Sequence, residues 1–442
     1  MFNWLYARHT GGTYLLRIED TDRQRSTEAA VGVILEGLKW LGLEPDAPPV
    51  FQHARADRHR AEVLRLLDEG RAYRCFMTVE ELAAERERAR AEGRAIRSPW
   101  RDRDAAAGSN DPFVIRFKGP LEGETIVDDL VKGTITFANK ELDDLVLLRT
   151  DGAPTYNLAV VVDDHDMAIT HVIRGDDHLS NTARQTLIYQ ALDYDLPAFG
   201  HLPMIHGEDG AKLSKRHGAQ AVGEFADMGY LPEAMRNYLA RLGWGHGDDE
   251  LFTDAQAIAW FDVKDCIRSP ARLDWAKIAH VNNHYIRLAD DDRLADLVTG
   301  VLTSKGEALG ADTRARLLAT IPLVKDGAKT TIELADLCRF ALATRPLALT
   351  EKGLGLLTAE TRARLARLAK ALEGGGDWAV AGLTGTLRAF ADKEGVGFGK
   401  FGPALRGVLA GAAPGPDLAS ALAALGKPES LGRINDALSQ VQ

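Results

Sequence analysis

The spacing of apolar residues in the first half of the chain predicts alternating strands and helices. Residues 158–162 form a continuous apolar run rich in β-branched side chains, and residues 171–174 form a shorter segment with the β-branched pair Val172-Ile173 at its centre. Such runs are typical of strands buried on both faces of a parallel sheet. Residues 180–192 then carry apolar side chains at helical spacing. Strand, crossover helix and parallel strand are the units of a doubly wound sheet, so the pattern predicts an α/β fold.

The pattern changes twice elsewhere in the chain. Short strand-like runs at residues 114–117, 133–137 and 145–148 predict a smaller α+β segment that interrupts the sheet. Beyond Pro232 the spacing of apolar residues is helical to the end of the chain. Loops rich in glycine and proline divide this last part into helical bundles.

Composition narrows the class of protein. The chain has 442 residues, of which 45% are hydrophobic and 27% charged, as in ordinary globular proteins. No apolar run reaches the roughly 18 residues of a membrane helix, and the first residues lack the features of a signal peptide. Three widely separated cysteines argue against a disulfide framework. We therefore expect a cytoplasmic protein of about three domains.

Charge is distributed unevenly along the chain. The net charge of −10 combines −14 over residues 1–300 (36 basic and 50 acidic side chains) with +4 over residues 301–442 (18 basic and 14 acidic). An acidic total argues against a nucleic-acid partner, but the mildly basic C-terminal part could contact a polyanion locally.

The segment with the clearest chemical character is the basic loop Lys212-Leu213-Ser214-Lys215-Arg216, which lies between two nearby glycines. Three cations on a glycine-flanked loop suit the binding of polyphosphate, because charge on flexible stems can follow phosphoryl oxygens toward a leaving pyrophosphate. The alternative interpretation is an ordinary solvated basic loop.

The basic loop resembles the KMSKS signature of class I aminoacyl-tRNA synthetases, in the KLSKR form found in glutamyl-tRNA synthetases. Other stretches resemble the same family, at residues 16–23, 154–159, 162–165, 172–178, 230–234 and 237–239. Because several motifs match in the same order over nearly the whole chain, the sequence is identified as a member of the bacterial-type glutamyl-tRNA synthetases.

The resemblance implies an α/β plus all-α architecture. A class I Rossmann-like nucleotide-binding domain would hold an inserted α+β subdomain, and helical anticodon-binding domains would follow it. The catalytic domain is implied in two parts, residues 1–70 and 151–205, with an inserted acceptor-binding subdomain at 71–150 between them. The KLSKR loop with a stem-contact helical domain would follow at 206–289, and a helical anticodon-binding region at 290–442.

The resemblance also assigns residues to ATP. The second lysine of the signature loop contacts ATP phosphates in the family and stabilises the transition state. It follows that Lys215 is expected to be catalytic together with Lys212. The expected ATP-binding residues are Lys215, Arg216, Asp177 and His178, and Mg²⁺ is expected to arrive with ATP.

Three further residues match the family's glutamate-binding positions. Glu19 corresponds to the acid that holds the amino group, Arg174 to the arginine that holds the side-chain carboxylate, and Tyr156 to a pocket residue. The roles make physical sense, because a zwitterion with a second carboxylate needs one fixed anion and one fixed cation. The alternatives are a loop carboxylate, a surface ion pair and a core aromatic, respectively.

Acidic residues and histidines cluster at residues 163–166 and 176–178. Oxygen and imidazole ligands could bind a divalent metal there, but this spacing is not a specific ligand pattern. We favour the alternative, in which Asp177 and His178 border the nucleotide pocket and the other carboxylates cap helices. Some family members bind zinc through a cysteine-rich insert. Since the insert here holds Cys75 alone, we expect no zinc.

Class I enzymes also carry a HIGH motif, and this sequence has none. Met1 stands where the family continues just after the helix that HIGH opens. The resemblance therefore implies an N-terminal truncation of roughly twenty residues of a βα unit, through an internal start codon or a real deletion. We expect poor ATP binding and impaired activation by this chain. The alternative is a catalytically inactive, tRNA-binding remnant.

The helical C-terminal part is expected to read the anticodon. Candidate stacking and phosphate contacts are Phe390, Phe398, Phe401, Arg388, Lys393, Lys400 and Arg406. The aromatics could instead fill the helical core, Phe390 above all. The expected partners are L-glutamate and tRNA(Glu), and the expected state is a monomer. Charging of tRNA(Gln) stays open, because no discriminating arginine can be placed near residues 371–377.

Overall fold

The computed structural model of the chain describes residues 1–20, 27–103, 111–207, 209–211 and 222–440. The chain divides into two compact units. The first comprises Met1–Gly223 with Arg236–Asp274, and the second comprises Glu224–Met235 with Trp275–Gln442. Among the described residues, no helix is both long enough and apolar enough to span a membrane.

Strands and helices alternate through the first half of the chain: α1 (Phe2–Thr10), β1 (Arg17–Ile18), α2 (Glu28–Trp40), β2 (Val50–Phe51), α3 (Ala56–Asp68), β3 (Ala72–Cys75), α4 (Val79–Ala91), β4 (Val114–Phe117), β5 (Glu124–Asp129), β6 (Gly133–Ala138), β7 (Val146–Leu148), α5 (Tyr156–Asp166), β8 (His171–Gly175), α6 (Leu179–Ala191), β9 (Ala198–Leu202) and β10 (Ile205–His206). Helices then dominate: α7 (Glu224–Asp227), α8 (Pro232–Gly243), α9 (Asp254–Trp260), β11 (Ala271–Arg272), α10 (Trp275–Leu288), α11 (Asp291–Ser304), α12 (Thr313–Val324), α13 (Thr331–Leu342), α14 (Glu351–Leu356), α15 (Ala359–Gly374), α16 (Val380–Lys393), α17 (Gly402–Ala410) and α18 (Leu418–Gln440).

The largest sheet of the first unit has the strand order β6-β5-β9-β8. Strands β8 and β9 are parallel and are joined by α6, so the strand predicted at 171–174 and the helix predicted at 180–192 are both present, while β9 was not predicted. The β5–β6 hairpin is antiparallel and joins β9 through one parallel pair, Asp129 with Phe199. A separate antiparallel sheet, β3-β4-β7, contains two of the three strands predicted for the insert.

The prediction of a strand at residues 158–162 was wrong, because these residues belong to α5. Leu158, Val161 and Val162 have no exposed surface, and they share a core with residues of α3 and α6. A helix that is buried on every side shows the same continuous apolar run as a strand buried on both faces. A run of five residues therefore could not distinguish the two.

The second unit is built from packed helices around a core that includes Leu365, Leu405 and Phe340. Arg433 of α18 is also fully buried there. Its Nη1 donates hydrogen bonds to the carbonyls of Phe340 and Leu409, at 2.8 and 2.5 Å. Those carbonyls lie in the last turns of α13 and α17, where the helix itself supplies no donor. One arginine therefore satisfies the ends of two helices.

Candidate active site

A cleft of about 830 Å³ opens in the first unit. It is lined by residues of α1, by the segment from Gly12 to Glu19, by both ends of α5 and by β8. Four residues expected to bind glutamate or ATP lie on its walls, namely Glu19, Tyr156, Arg174 and His178. Asp177 directly precedes His178 in a 3-10 turn and is not among the residues that line the cleft.

The signature loop holds the residues that are expected to be catalytic. Its residues Lys212, Leu213, Ser214, Lys215 and Arg216 lie outside the described part of the chain. The roles expected for them therefore stay predictions.

Arg174 is held in place by three hydrogen bonds. Its Nε donates to Nε2 of His201 at 3.3 Å. Its Nη2 donates to Oγ1 of Thr182 at 2.6 Å and to Oε1 of Gln185 at 2.7 Å. Burial lowers the pKa of Arg174 from its ordinary value, but an arginine keeps its charge in proteins. Nη1 has no hydrogen-bond partner among the described residues, so it is the group left to bind an anion.

Glu19 supplies negative charge to the same cleft. Its Oε1 lies 3.5 Å from Nη2 of Arg17, whose Nη1 donates to Oδ1 of Asp164 at 2.7 Å. Burial by itself lowers the pKa of Arg17, but the Asp164 carboxylate outweighs burial and holds the pKa above its ordinary value. Because Asp164 already neutralises Arg17, the more exposed Glu19 carboxylate is left to attract a cation such as an ammonium group.

Tyr156 is the first residue of α5 and places its ring on the wall of the cleft. Its hydroxyl lies 3.3 Å from Nδ1 of His178. Burial raises the pKa of Tyr156, and the negative charge of Glu19 raises it further. The phenol therefore stays neutral at physiological pH and acts as a hydrogen-bonding group.

The position of α5 depends on Asp163, which has no exposed surface. This carboxylate accepts hydrogen bonds from Nε2 of Gln52 at 3.0 Å and from Nε of Arg55 at 2.6 Å. It also lies 2.7 Å from Nε2 of the equally buried His59. Burial by itself raises the pKa of Asp163, but these three hydrogen bonds outweigh it and lower the pKa below its ordinary value.

The expectation that the carboxylates at 163–166 cap helices was wrong. Asp163, Asp164 and Asp166 lie in the C-terminal half of α5, where a carboxylate opposes the helix dipole. They form ion pairs instead, and Asp166 accepts a hydrogen bond from Nε of Arg58 at 3.0 Å. Within the described ranges, no group of three or more His, Cys, Asp or Glu residues is arranged to hold a metal ion. The absence of zinc itself stays a prediction.

A second cleft, of about 680 Å³, lies in the second unit. Phe398, Lys352 and Arg406 are among its lining residues. Phe390 and Phe401, however, are buried in the helical core and pack edge to face with ring centroids 5.6 Å apart. They cannot stack on a nucleotide, so of the three candidate aromatics only Phe398 keeps an exposed ring.

Several buried polar residues beside Arg174 were missed by the sequence analysis, namely Asp129, Thr182, Gln185 and His201. A partial signal was present in α6, because Thr182 and Gln185 are three residues apart and so share one face of the helix. For Asp129 and His201 the sequence offers no such signal, since a polar residue in a short strand is more often exposed.

The chain matches two described protein families. Residues 1–280 match the catalytic domain of tRNA synthetases class I (E and Q), and residues 293–438 match an anticodon-binding domain. The glutamate–tRNA ligase of Caulobacter sp. (strain K31) is 65% identical over 439 residues, which are 99% of this chain and 93% of that protein. The glutamate–tRNA ligase of Caulobacter vibrioides is 66% identical over 440 residues, again 99% and 93%.

The chain belongs to the glutamate–tRNA ligase family. The crystal structure of a glutamate–tRNA ligase from Elizabethkingia meningosepticum in complex with its amino acid is similar to it, with a TM-score of 0.85 and 30% identity over 100% of this chain and 95% of that one. Family membership confirms the predicted fold class and class of enzyme. The comparisons do not show a truncated chain, and they support neither the expected impairment nor an inactive remnant.

Asp163→Asn is expected to lower the free energy of unfolding by about 3 kcal/mol at pH 7, because it leaves the buried His59 and the partly buried Arg55 without this carboxylate. A carboxylate with a lowered pKa stabilises the folded state above its unfolded pKa of about 4, and this stabilisation is lost as the pH falls through the folded pKa. Urea unfolding should therefore show a constant difference between pH 7 and about pH 5, and a smaller one below about pH 4.

The matched control is Asp68→Asn, since Asp68 is exposed on the neighbouring helix α3. This variant should have the same free energy of unfolding as the parent protein at every pH. If Asp163→Asn had no effect at pH 7, or an effect that grew in acid, the network would not anchor α5 as described.

Proposed function

We propose that this chain attaches L-glutamate to tRNA(Glu) in two steps that consume ATP. In the first step an oxygen of the α-carboxylate of glutamate attacks the α-phosphorus of ATP, glutamyl-adenylate forms and pyrophosphate leaves. In the second, a hydroxyl of the terminal ribose of the tRNA attacks the acyl carbon and AMP leaves. The protein performs no covalent step in this scheme, so it accelerates the reaction by positioning and by stabilising charge.

The observation that carries this proposal is the pairing of opposite charges in one cleft of a glutamate–tRNA ligase family member. Glu19 would hold the ammonium group of the amino acid, and Nη1 of Arg174 would hold its side-chain carboxylate. Tyr156 lines the same cleft, and its hydroxyl lies beside His178. A cation fixed in this way favours glutamate over glutamine, since an uncharged amide gains less from a guanidinium.

ATP is expected to bind beside this amino-acid pocket, with His178 and Asp177 at its border. Lys215, Lys212 and Arg216 of the signature loop are proposed to contact the phosphates. Magnesium ions bound to nucleotides are held largely by the phosphates and by water, so the absence of a metal-binding cluster among the described residues is compatible with Mg²⁺ arriving on ATP.

Replacing Arg174 with glutamine should abolish most amino-acid activation. In glutamate-dependent exchange of pyrophosphate into ATP, kcat/KM for glutamate should fall at least about 100-fold, because a charge-assisted hydrogen bond to the substrate is lost. Arg149→Gln is a suitable control, since Arg149 is exposed and outside the cleft. Unchanged kinetics for Arg174→Gln would contradict the assigned role.

The chain is proposed to bind the anticodon of tRNA through residues 290–442, which belong to the second unit, and the acceptor stem through residues 206–289 and the insert. The support is the second cleft, where the exposed ring of Phe398 lies with Arg406 and Lys352. An aromatic ring and a guanidinium are the groups on which an unstacked base can stack. We propose tRNA(Glu) as the partner of a monomer in the cytoplasm, and leave tRNA(Gln) as a second candidate.

Arg406→Ala should raise the KM for tRNA(Glu) in aminoacylation by about tenfold, which corresponds to the loss of one good contact. Pyrophosphate exchange without tRNA should not change. Lys370→Ala, at an exposed position of α15 outside the cleft, serves as the control. Assays with purified tRNA(Glu) and tRNA(Gln) in parallel show which is charged, and an effect of Arg406→Ala on exchange would contradict a role in tRNA binding alone.

A further inference from the structure

The register of the central sheet places three polar side chains next to one another. Arg174 of β8 is the direct partner of His201 of β9, and Asp129 of β5 is the partner of Phe199, two residues before His201. Paired residues of parallel strands, and residues two apart on one strand, point to the same face of a sheet. Asp129, His201 and Arg174 therefore lie in a row on one face, and Asp129 and His201 are buried there.

Asp129 is held as an anion at the far end of this row. Its Oδ1 accepts hydrogen bonds from the backbone N–H groups of Lys132 at 2.7 Å and Val131 at 2.9 Å. Its Oδ2 lies 2.6 Å from Nδ1 of His201. Burial by itself raises the pKa of Asp129, but the hydrogen bonds outweigh it and hold the pKa below its ordinary value. A carboxylate accepts hydrogen bonds only, so Nδ1 of His201 must carry a proton.

The other ring nitrogen of His201 must then be without one. Nε of Arg174 donates to Nε2 of His201, and a guanidinium can only donate, so Nε2 presents a lone pair. The hydroxyl of Thr182 accepts a hydrogen bond from Nη2 of Arg174 and lies 2.8 Å from the same nitrogen. The ring is therefore neutral and in one tautomer, fixed by Asp129 on one side and by Arg174 on the other.

This row determines which N–H groups of Arg174 are available. His201, Thr182 and Gln185 engage Nε and both hydrogens of Nη2. Gln185 is itself oriented by donating from Nε2 to Oδ1 of Asn157 at 3.0 Å. The two N–H groups of Nη1 remain for a ligand. A guanidinium held at three of five donors cannot turn away from the cleft.

We propose that Asp129 and His201 are positioning residues, which act through Arg174 to set its affinity for the carboxylate of the bound amino acid. The inference rests on the proposed binding of glutamate by Arg174 and adds two residues that never touch the substrate. If His201 presented a proton at Nε2 instead, it would face the N–H of Arg174 donor to donor, and the guanidinium would be displaced.

Asp129→Asn tests this directly, because it keeps the size of the side chain and replaces a charged acceptor with a neutral amide that can also donate. The new amide can donate to Nδ1 of His201, which drives the ring into the opposite tautomer, with its proton at Nε2. We expect the Kd for L-glutamate, measured by titration calorimetry with the full chain, to rise about tenfold or more. Asp128→Asn is the control, since Asp128 is the exposed neighbour on the same strand. Its Kd should match that of the parent protein.

Two substitutions of His201 separate positioning from simple packing. His201→Gln can place an oxygen near the position of Nε2 and so keeps an acceptor for Arg174. His201→Asn can reach only the position of Nδ1 and keeps the hydrogen bond to Asp129. We expect the glutamine variant to bind glutamate within about threefold of the parent and the asparagine variant to bind about tenfold more weakly. Thermal unfolding of all variants shows which are folded.

The outcomes separate the two proposals. If the parent chain shows no saturable glutamate binding, the proposed function is wrong, and the positioning role is overturned with it. If the parent binds glutamate and Asp129→Asn binds it equally well, only the positioning role is overturned. The positioning role alone is also overturned if both His201 variants lose affinity for glutamate in proportion to their loss of Tm. That result is expected if His201 has a purely structural role.

Discussion

Two adjacent carboxylates are buried on one helix of the first unit, and burying charge is tolerated only when each ion meets a partner. Asp163 is paired with Arg55 and His59, and Asp164 with Arg17. Removing a partner would leave a buried, uncompensated charge, which costs several kcal/mol. Because α5 begins with Tyr156, these ion pairs also determine where that ring stands. The pairing of buried charges in α5 therefore also fixes one wall of the cleft.

Another wall of the cleft is formed by β8, and the pairing of β8 with β9 orients its side chain Arg174. Arg174 is the penultimate residue of β8, near the carboxyl end of a parallel strand, which is where ligands bind in open α/β sheets. The neighbouring strand fixes the partner of that side chain, since parallel pairing places His201 directly beside it. A one-residue slip of β9 would turn His201 to the other face of the sheet and leave the guanidinium without its acceptor. The orientation of Arg174 is therefore a property of the whole sheet.

The sequence could predict some residues of the candidate site but not others. Resemblance to a family located Glu19, Tyr156 and Arg174, because their identity and order along the chain are sufficient for that. It could not locate Asp129 or His201, whose contact depends on strand pairing between segments 72 residues apart. The strand predicted at 158–162 failed for a related reason, since continuous burial is a property of the surroundings and not of a short run. The prediction of β8 and α6 was correct, because α6 is a long helix whose apolar spacing is visible in the local sequence.

The second unit buries charge by another route. Nη1 of Arg433 donates hydrogen bonds to two helix-end carbonyls, and Nη2 donates to the carbonyl of Ala343. Its Nε donates to a carboxylate, that of the partly exposed Glu429. Carbonyl dipoles do not titrate, so this arginine is held mainly by groups that stay the same at every pH. The first unit instead relies on Asp163, a group that acid can neutralise. It follows that acid should loosen the wall that carries Tyr156 before it affects the helix ends joined by Arg433.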